Sequence, residues 1–147
     1  MKTMPRTLPT IADFIERGNG HLPGLIGIEI TDVQSGRISS RLALRPEIMA
    51  PNGYLHAATV IALADTSAGY GCLASLPVDG ENFTTIELKT NFLGTAREGA
   101  IACIASLVHG GRTTQVWDSV VTEEATGKTI ALFRCTQMIL YPRGSSV

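Results

Sequence analysis

Between His56 and Cys72 the run HAATVIALADTSAGYGC carries a single charged side chain, Asp65, in a stretch otherwise suited to a buried helix. A carboxylate in such a setting is expensive to bury, so it must be hydrogen-bonded, be protonated or face a wet cleft. Helical spacing puts Ile61 and Gly69 four residues from it and Ala62 and Ala68 three residues from it, so that face is built mostly of small side chains that leave room for a ligand. Facing a cleft, the carboxylate can attack an electrophilic carbon or take a proton from water. Hydrogen-bonded inside the core, it is only a structural group.

A second chemical feature lies at the start of the same helix. Gly53, Tyr54 and Leu55 lead into His56, Ala57 and Ala58, where the first free backbone N–H groups and the positive end of the helix dipole point outward. Such an end can polarise a carbonyl oxygen in the manner of an oxyanion hole; the plainer alternative is that His56 caps the helix or packs beneath a loop. Ala57 and Asp65 are eight residues apart, about 12 Å along a helix rising about 1.5 Å per residue. One helix therefore does not present both groups to one small reacting centre. If they act together, the donor comes from one subunit and the carboxylate from another, which predicts a dimer with two sites across its interface.

The rest of the chain must position this helix. Its 147 residues suit one domain spanning 1–147. Twelve Lys and Arg against thirteen Asp and Glu give no basic nucleic-acid surface and no acidic tail. Cys72, Cys103 and Cys135 are odd in number and set among apolar residues, which fits buried free thiols rather than bridges or metal ligands and implies a reducing compartment. The N-terminus has no apolar run of signal-peptide length and carries Asp13 and Glu16 where one would lie, so a cytoplasmic location is expected. The stretch from Leu55 to Leu76 approaches membrane-span length, but His56, Asp65, several hydroxyls and two glycines make a core helix the better reading. Only residues 1–9 and the tail from Gly144 to Val147 are loosely composed.

Thr10, with Asp13 three residues on, signals a capped helix over about 10–17 with Ile11, Phe14 and Ile15 on one face. Strand character runs over 27–33, 37–44, 84–92, 100–109, 113–122 and 129–140, and the central helix over about 56–73. In the third strand Ile86, Leu88 and Phe92 face one way and Glu87, Lys89 and Asn91 the other. The run from Ala100 to Val108 is apolar on both faces and is expected to be central in the sheet and covered on both sides. Two strands, one long buried helix and four strands make an α+β domain, an antiparallel sheet wrapped round a helix.

Across roughly Gly24 to Arg143 these residues resemble the hotdog-fold acyl-CoA thioesterases of the phenylacetate-pathway and 4-hydroxybenzoyl-CoA type. The family pattern G-x-L-H-G-G followed by A-L-A-D or A-L-A-E corresponds here to Gly53-Tyr54-Leu55-His56-Ala57-Ala58 and Ala62-Leu63-Ala64-Asp65. Asn91-Phe92-Leu93, Gly111-Arg112-Thr113-Thr114 and Tyr141-Pro142-Arg143 add weaker matches. The resemblance implies a curved hotdog sheet around a long central helix, a homodimer or a homotetramer, an acyl-CoA substrate and no cofactor or metal. It gives Asp65 the part of nucleophile or general base, the Ala57 amide that of oxyanion donor, and His56 that of an orienting neighbour.

Further substrate-binding positions implied in the same way are Asn52, Gly53, Ala58, Gly69 and Thr85. Arg97, Arg112, Thr113 and Arg143 are candidates for the phosphates of CoA, with Arg112 and Thr113 first because a glycine turn can add backbone donors. Tyr54, Tyr70, Phe83 and Trp117 are either acyl contacts or core. The chain departs from the pattern at Ala57-Ala58, where the family has two glycines, at Ala50, where many members have Gln or Asn, and after Leu93, where the usual Arg-Pro is missing. Two rivals use the same frame: dehydration of a hydroxyacyl thioester, and an acyl-CoA-binding dimer without turnover.

Overall fold

A computed structural model describes residues 6–144; residues 1–5 and 145–147, within the two loosely composed ends, lie outside the described residues. Helix α1 spans Ile11–Gly18 and opens on a reciprocal cap, in which Thr10 Oγ1 accepts from the Asp13 N–H at 3.1 Å and the Asp13 carboxylate accepts from the Thr10 N–H at 2.8 Å. Its buried Phe14 stacks on Tyr70, with ring centroids 4.4 Å apart. A five-residue helix that the periodicity did not disclose, α2 (Leu22–Ile26), follows. Its last carbonyls, those of Leu25 and Ile26, accept from the Arg45 guanidinium at 3.0 and 2.6 Å.

Among the described residues six strands form one antiparallel sheet: β1 (Glu29–Gln34), β2 (Arg37–Ala43), β3 (Asn82–Phe92), β4 (Ala100–Gly110), β5 (Thr114–Glu123) and β6 (Thr129–Leu140), in the spatial order β1-β2-β4-β5-β6-β3. Gly27, expected inside the first strand, instead closes α2 with a left-handed φ of 89°, so β1 begins two residues later. The long helix α3 (Ala57–Ala74) follows β2, crosses the concave face and delivers the chain to the far edge, where β3 pairs with β6. The next connection returns to β4 beside β2.

Helix α3 has the length and hydropathy of a membrane span, but it lies in the sheet and its Val60, Leu63, Ala64, Ala68 and Cys72 are buried. Two glycines let it approach. A Cβ on Gly71 would fall 2.5 Å from Trp117 Cη2, and one on Gly69 would fall 2.7 Å from Phe83 Cζ. Contacts that short force a neighbour to move. Trp117 is fully buried beneath the helix, and its indole N–H donates to Gln115 Oε1 at 2.8 Å while Gln115 Nε2 donates to the Ser75 carbonyl at 2.8 Å.

Two expectations are corrected. Pairing of β3 with β6 slips between Thr85 and Glu87, so Leu88 and Phe92 keep one face while Ile86 is carried by the bulge out of their row. Strand β4 is central, between β2 and β5, yet covered on one side only: Ile104 of β4, Val120 of β5 and Leu132 of β6 are 37–44% exposed on the convex face. The helix occupies the concave side, and among the described residues no second layer buries the other.

Candidate active site

The site grows from the loop that feeds α3. Ala50 N–H donates to the Tyr54 carbonyl at 2.8 Å, Gly53 N–H to the Ala50 carbonyl at 3.0 Å, and Tyr54 N–H to Asn52 Oδ1 at 3.2 Å, so residues 50–54 form a self-bonded turn. The Leu55 N–H is held from outside by Thr95 Oγ1 at 3.1 Å, and Arg97 lies over the Tyr54 ring, 5.1 Å from its centroid. The segment after β3 thus braces the entry to the helix. Nothing in the residue spacing announces Thr95, which lies 40 positions from its partner.

At the helix start the capping role of His56 is directly visible. His56 is the N-cap: its Nδ1 accepts from the Ala58 N–H at 3.0 Å, which puts the ring hydrogen on Nε2, and its carbonyl accepts from Thr59 and Val60 at 3.0 and 3.3 Å. That leaves the Ala57 N–H, which has no acceptor among the described residues. His56, Ala57 and Ala58 are all exposed. The cap consumes one donor and leaves its neighbour aimed at solvent with the helix dipole behind it.

Asp65 lies two turns along α3, half-buried, and its Oδ1 is buried with no hydrogen-bond partner among the described residues. The core hydrogen bond that would make it structural is absent there. Loss of solvent holds its carboxyl above the usual carboxylate range. The side chain lies near Cys135 of β6, whose thiol is pushed up to about 12 mainly by burial and then by the charge of Asp65. Thr90 Oγ1, on β3, is the other buried side-chain atom without a partner among the described residues.

The remaining expected site residues divide between the two ends of the sheet. Arg97 stays with Tyr54 at the N-terminal end of α3. Arg112, Thr113 and Arg143 belong to the opposite end: Tyr141 donates its hydroxyl to the Arg112 carbonyl, Ile139 N–H donates to the Thr113 carbonyl at 2.8 Å, and neighbouring Gln115 reaches Ser75 at the C-terminal cap of α3. The 18 residues of α3 separate those ends by about 27 Å at about 1.5 Å per residue. Within one chain they do not meet.

Gly69 is buried, and Phe83 occupies the space above its Cα. Thr85 donates its hydroxyl to Gln137 Oε1 at 2.7 Å and is partly buried. Trp117 and Tyr70 are core, and Phe83 packs against the helix. A cleft of about 470 Å³ between α1, α2 and β1 is lined by Phe14, Gly18, Pro23, Ile30 and Tyr70, and of the expected positions it contains Tyr70 alone.

The chemistry on offer is therefore a free donor at a helix N-terminus and a desolvated carboxylate two turns away. Comparison with known proteins identifies the family. The family model described as Thioesterase superfamily matches residues 52–130, a span that includes His56 and Asp65. A 1,4-dihydroxy-2-naphthoyl-CoA hydrolase of Listeria monocytogenes is 34% identical over 111 residues, which are 76% of this chain and 89% of the relative. Among solved structures, a mutant of thioesterase PA1618 from Pseudomonas aeruginosa superposes with a TM-score of 0.87 at 22% identity, covering 93% of this chain and 98% of the other. The PaaI protein of Escherichia coli, from the phenylacetic acid degradation operon, gives 0.75 at 20% identity, covering 89% and 96%. These structural likenesses carry the hotdog fold, and the family match carries the rest: the chain belongs to the thioesterase superfamily.

Proposed function

We propose that the chain hydrolyses acyl-CoA thioesters at a site shared between two subunits, with Asp65 of one and the Ala57 N–H of the other. The observation that carries the reading is the unpartnered Asp65 carboxylate on the helix whose N-terminal donor is also free. The Ala57 N–H receives the charge that develops on the thioester oxygen. Asp65 takes a proton from water as the water oxygen bonds to the carbonyl carbon; the C–S bond then breaks, and the proton leaves with the CoA thiolate. A carboxylate whose proton affinity is raised by desolvation is better matched to this general-base role than an ordinary one.

Three features support the shared site. The two groups are about 12 Å apart on one helix. Strand β3 presents a free edge with Ile86, Leu88 and Phe92 40–53% exposed, the kind of edge that pairs with a second copy. A two-fold axis perpendicular to that edge pairs the two β3 strands antiparallel and runs the two α3 helices in opposite senses, so Arg112, Thr113 and Arg143 of one subunit approach the Arg97 and Ala57 end of the other, a cationic setting for CoA phosphates. Ile104, Val120 and Leu132 on the convex face are the surface we assign to dimer-on-dimer pairing into a tetramer. The three buried free thiols support a reducing, cytoplasmic setting.

The acyl group is proposed to be aromatic, on the strength of the naphthoyl-CoA name of the 34% identical relative. The test is thiol release from aromatic, short-chain and medium-chain acyl-CoAs, with product analysis. Thiol release with the highest kcat/KM on an aromatic thioester is expected. An enoyl product without free thiol would replace the reading by dehydration, and saturable binding without either product would replace it by a binding protein.

A further inference from the structure

Helix α3 is apolar around most of its circumference, so no hydrophobic stripe sets its rotation against the sheet. Yet Asp65, whose Oδ1 has no hydrogen bond of its own among the described residues, depends on the backbone for its position. Directly beneath the turn that precedes it, the core becomes polar. Ser119 of β5 donates to the Ala64 carbonyl at 2.9 Å, and Ser67, on α3 itself, donates to the Leu63 carbonyl at 2.8 Å. Ser67 has one hydroxyl hydrogen and has given it to Leu63, so in the 2.6 Å contact between Ser40 and Ser67 the donor is Ser40 of β2. All three serines are 0–2% exposed, and Cys103 of β4, paired with Ser40 in the ladder, sits among their hydroxyls.

Backbone satisfaction does not require this cluster. The Leu63 and Ala64 carbonyls lie inside the helix and have intrahelical N–H partners, and each oxygen has a second lone pair to spare. Apolar side chains of similar size would fill the same space without needing partners. What the hydroxyls add is direction: Ser119 ties the Ala64 carbonyl to β5, and Ser40 ties Ser67 to β2, within the narrow tolerance of a hydrogen bond rather than the loose one of an apolar contact.

We infer that Ser119, Ser67 and Ser40 are positioning residues, a polar key that fixes the rotation and height of the α3 turn at Leu63 and Ala64 and through it the place of the Asp65 carboxylate. The inference rests on the proposed role of Asp65. Binding of an acyl-CoA is spread over many contacts remote from this turn, so a displaced carboxylate shows in the chemical step and not in affinity.

The test measures steady-state kinetics of Ser119→Ala, Ser67→Ala and Ser40→Ala in the full chain, well below each variant's Tm and per folded site. Ser119→Ala and Ser67→Ala each lower kcat by about tenfold, as expected for a carboxylate displaced by part of an ångström, with KM within about twofold. The acid limb of kcat also moves to lower pH, because a carboxylate that slips toward solvent is held less far above its ordinary range. Ser40→Ala, which cuts the tie of Ser67 to β2 while leaving both carbonyl bonds in place, lowers kcat about as far as Ser67→Ala, since the Ser67–Leu63 bond is internal to α3. A merely structural cluster would lower Tm and leave kcat per folded site and its pH profile as in the parent, and that result for both Ser119→Ala and Ser67→Ala overturns the inference. Asp65→Asn measured alongside separates the two readings. If it keeps turnover, the role of Asp65 fails and the inference falls with it; if it is inactive while the serine variants match the parent, the inference alone fails.

Discussion

Asp65→Asn is expected to lower kcat on acyl-CoA thioesters by about 10²–10⁴-fold, the range for removing a positioned general base, while the variant folds and binds substrate as before. Asparagine keeps the shape and removes the charge, so the change isolates proton transfer. The same variant is expected to be more stable than the parent at neutral pH. In the folded chain desolvation holds the Asp65 carboxyl above its ordinary range. As pH rises through that ordinary range the unfolded chain therefore releases its proton first, and stability falls with pH until the folded group ionises too. The Asn variant has no such group. Its Tm should exceed the parent's at neutral pH, with the gap closing below about pH 4. Turnover near that of the parent would remove Asp65 from the mechanism. Loss of turnover with loss of Tm would instead mark it as a structural group.

Ala57→Pro is expected to cost about 10²–10³-fold in kcat, the usual effect of deleting one oxyanion donor. The substitution suits this position unusually well. Ala57 is the first residue of α3, where proline's fixed φ is favourable and its missing N–H disturbs no helical bond. His56 is already extended, with a ψ of 130° as a following proline requires. The His56 to Ala58 cap is untouched, so the one group removed is the N–H proposed to hold the oxyanion. Combined after subunit exchange, Asp65→Asn and Ala57→Pro chains should recover activity that neither has alone, since a mixed dimer carries one intact site. Equal amounts associating at random give about a quarter of the parental activity. A mixture as inactive as its components would place both groups in one subunit and overturn the shared site.

What could be seen in the sequence was local. Asp65, the His56 interval and the small residues around them lie within one helix, where spacing alone fixes which residues share a face. The cap at Thr10 is equally short-range. The rest depends on partners far along the chain. The bulge at Ile86 exists only in the pairing of β3 with β6, and Thr95 meets Leu55 only because the chain after β3 returns over the helix start. That Phe83, from another element, occupies the space above Gly69 is likewise a long-range fact. Ser40, Ser67 and Ser119 come from β2, α3 and β5; hydroxyls in apolar runs were visible, but not that three of them converge on one turn. Helix α2, at five residues, is too short to show a period.

Trp117 is the only tryptophan in the chain, and it lies fully buried between β5 and Gly71 of the helix with its N–H engaged by Gln115. The chain therefore carries a built-in optical reporter at the seam between helix and sheet. Its emission should be blue-shifted in the native state, shift to the red as α3 lifts from the sheet, and trace unfolding without any label. Because Trp117 is part of neither the donor end nor the Asp65 turn, the same signal can certify that a catalytically silent variant is still folded.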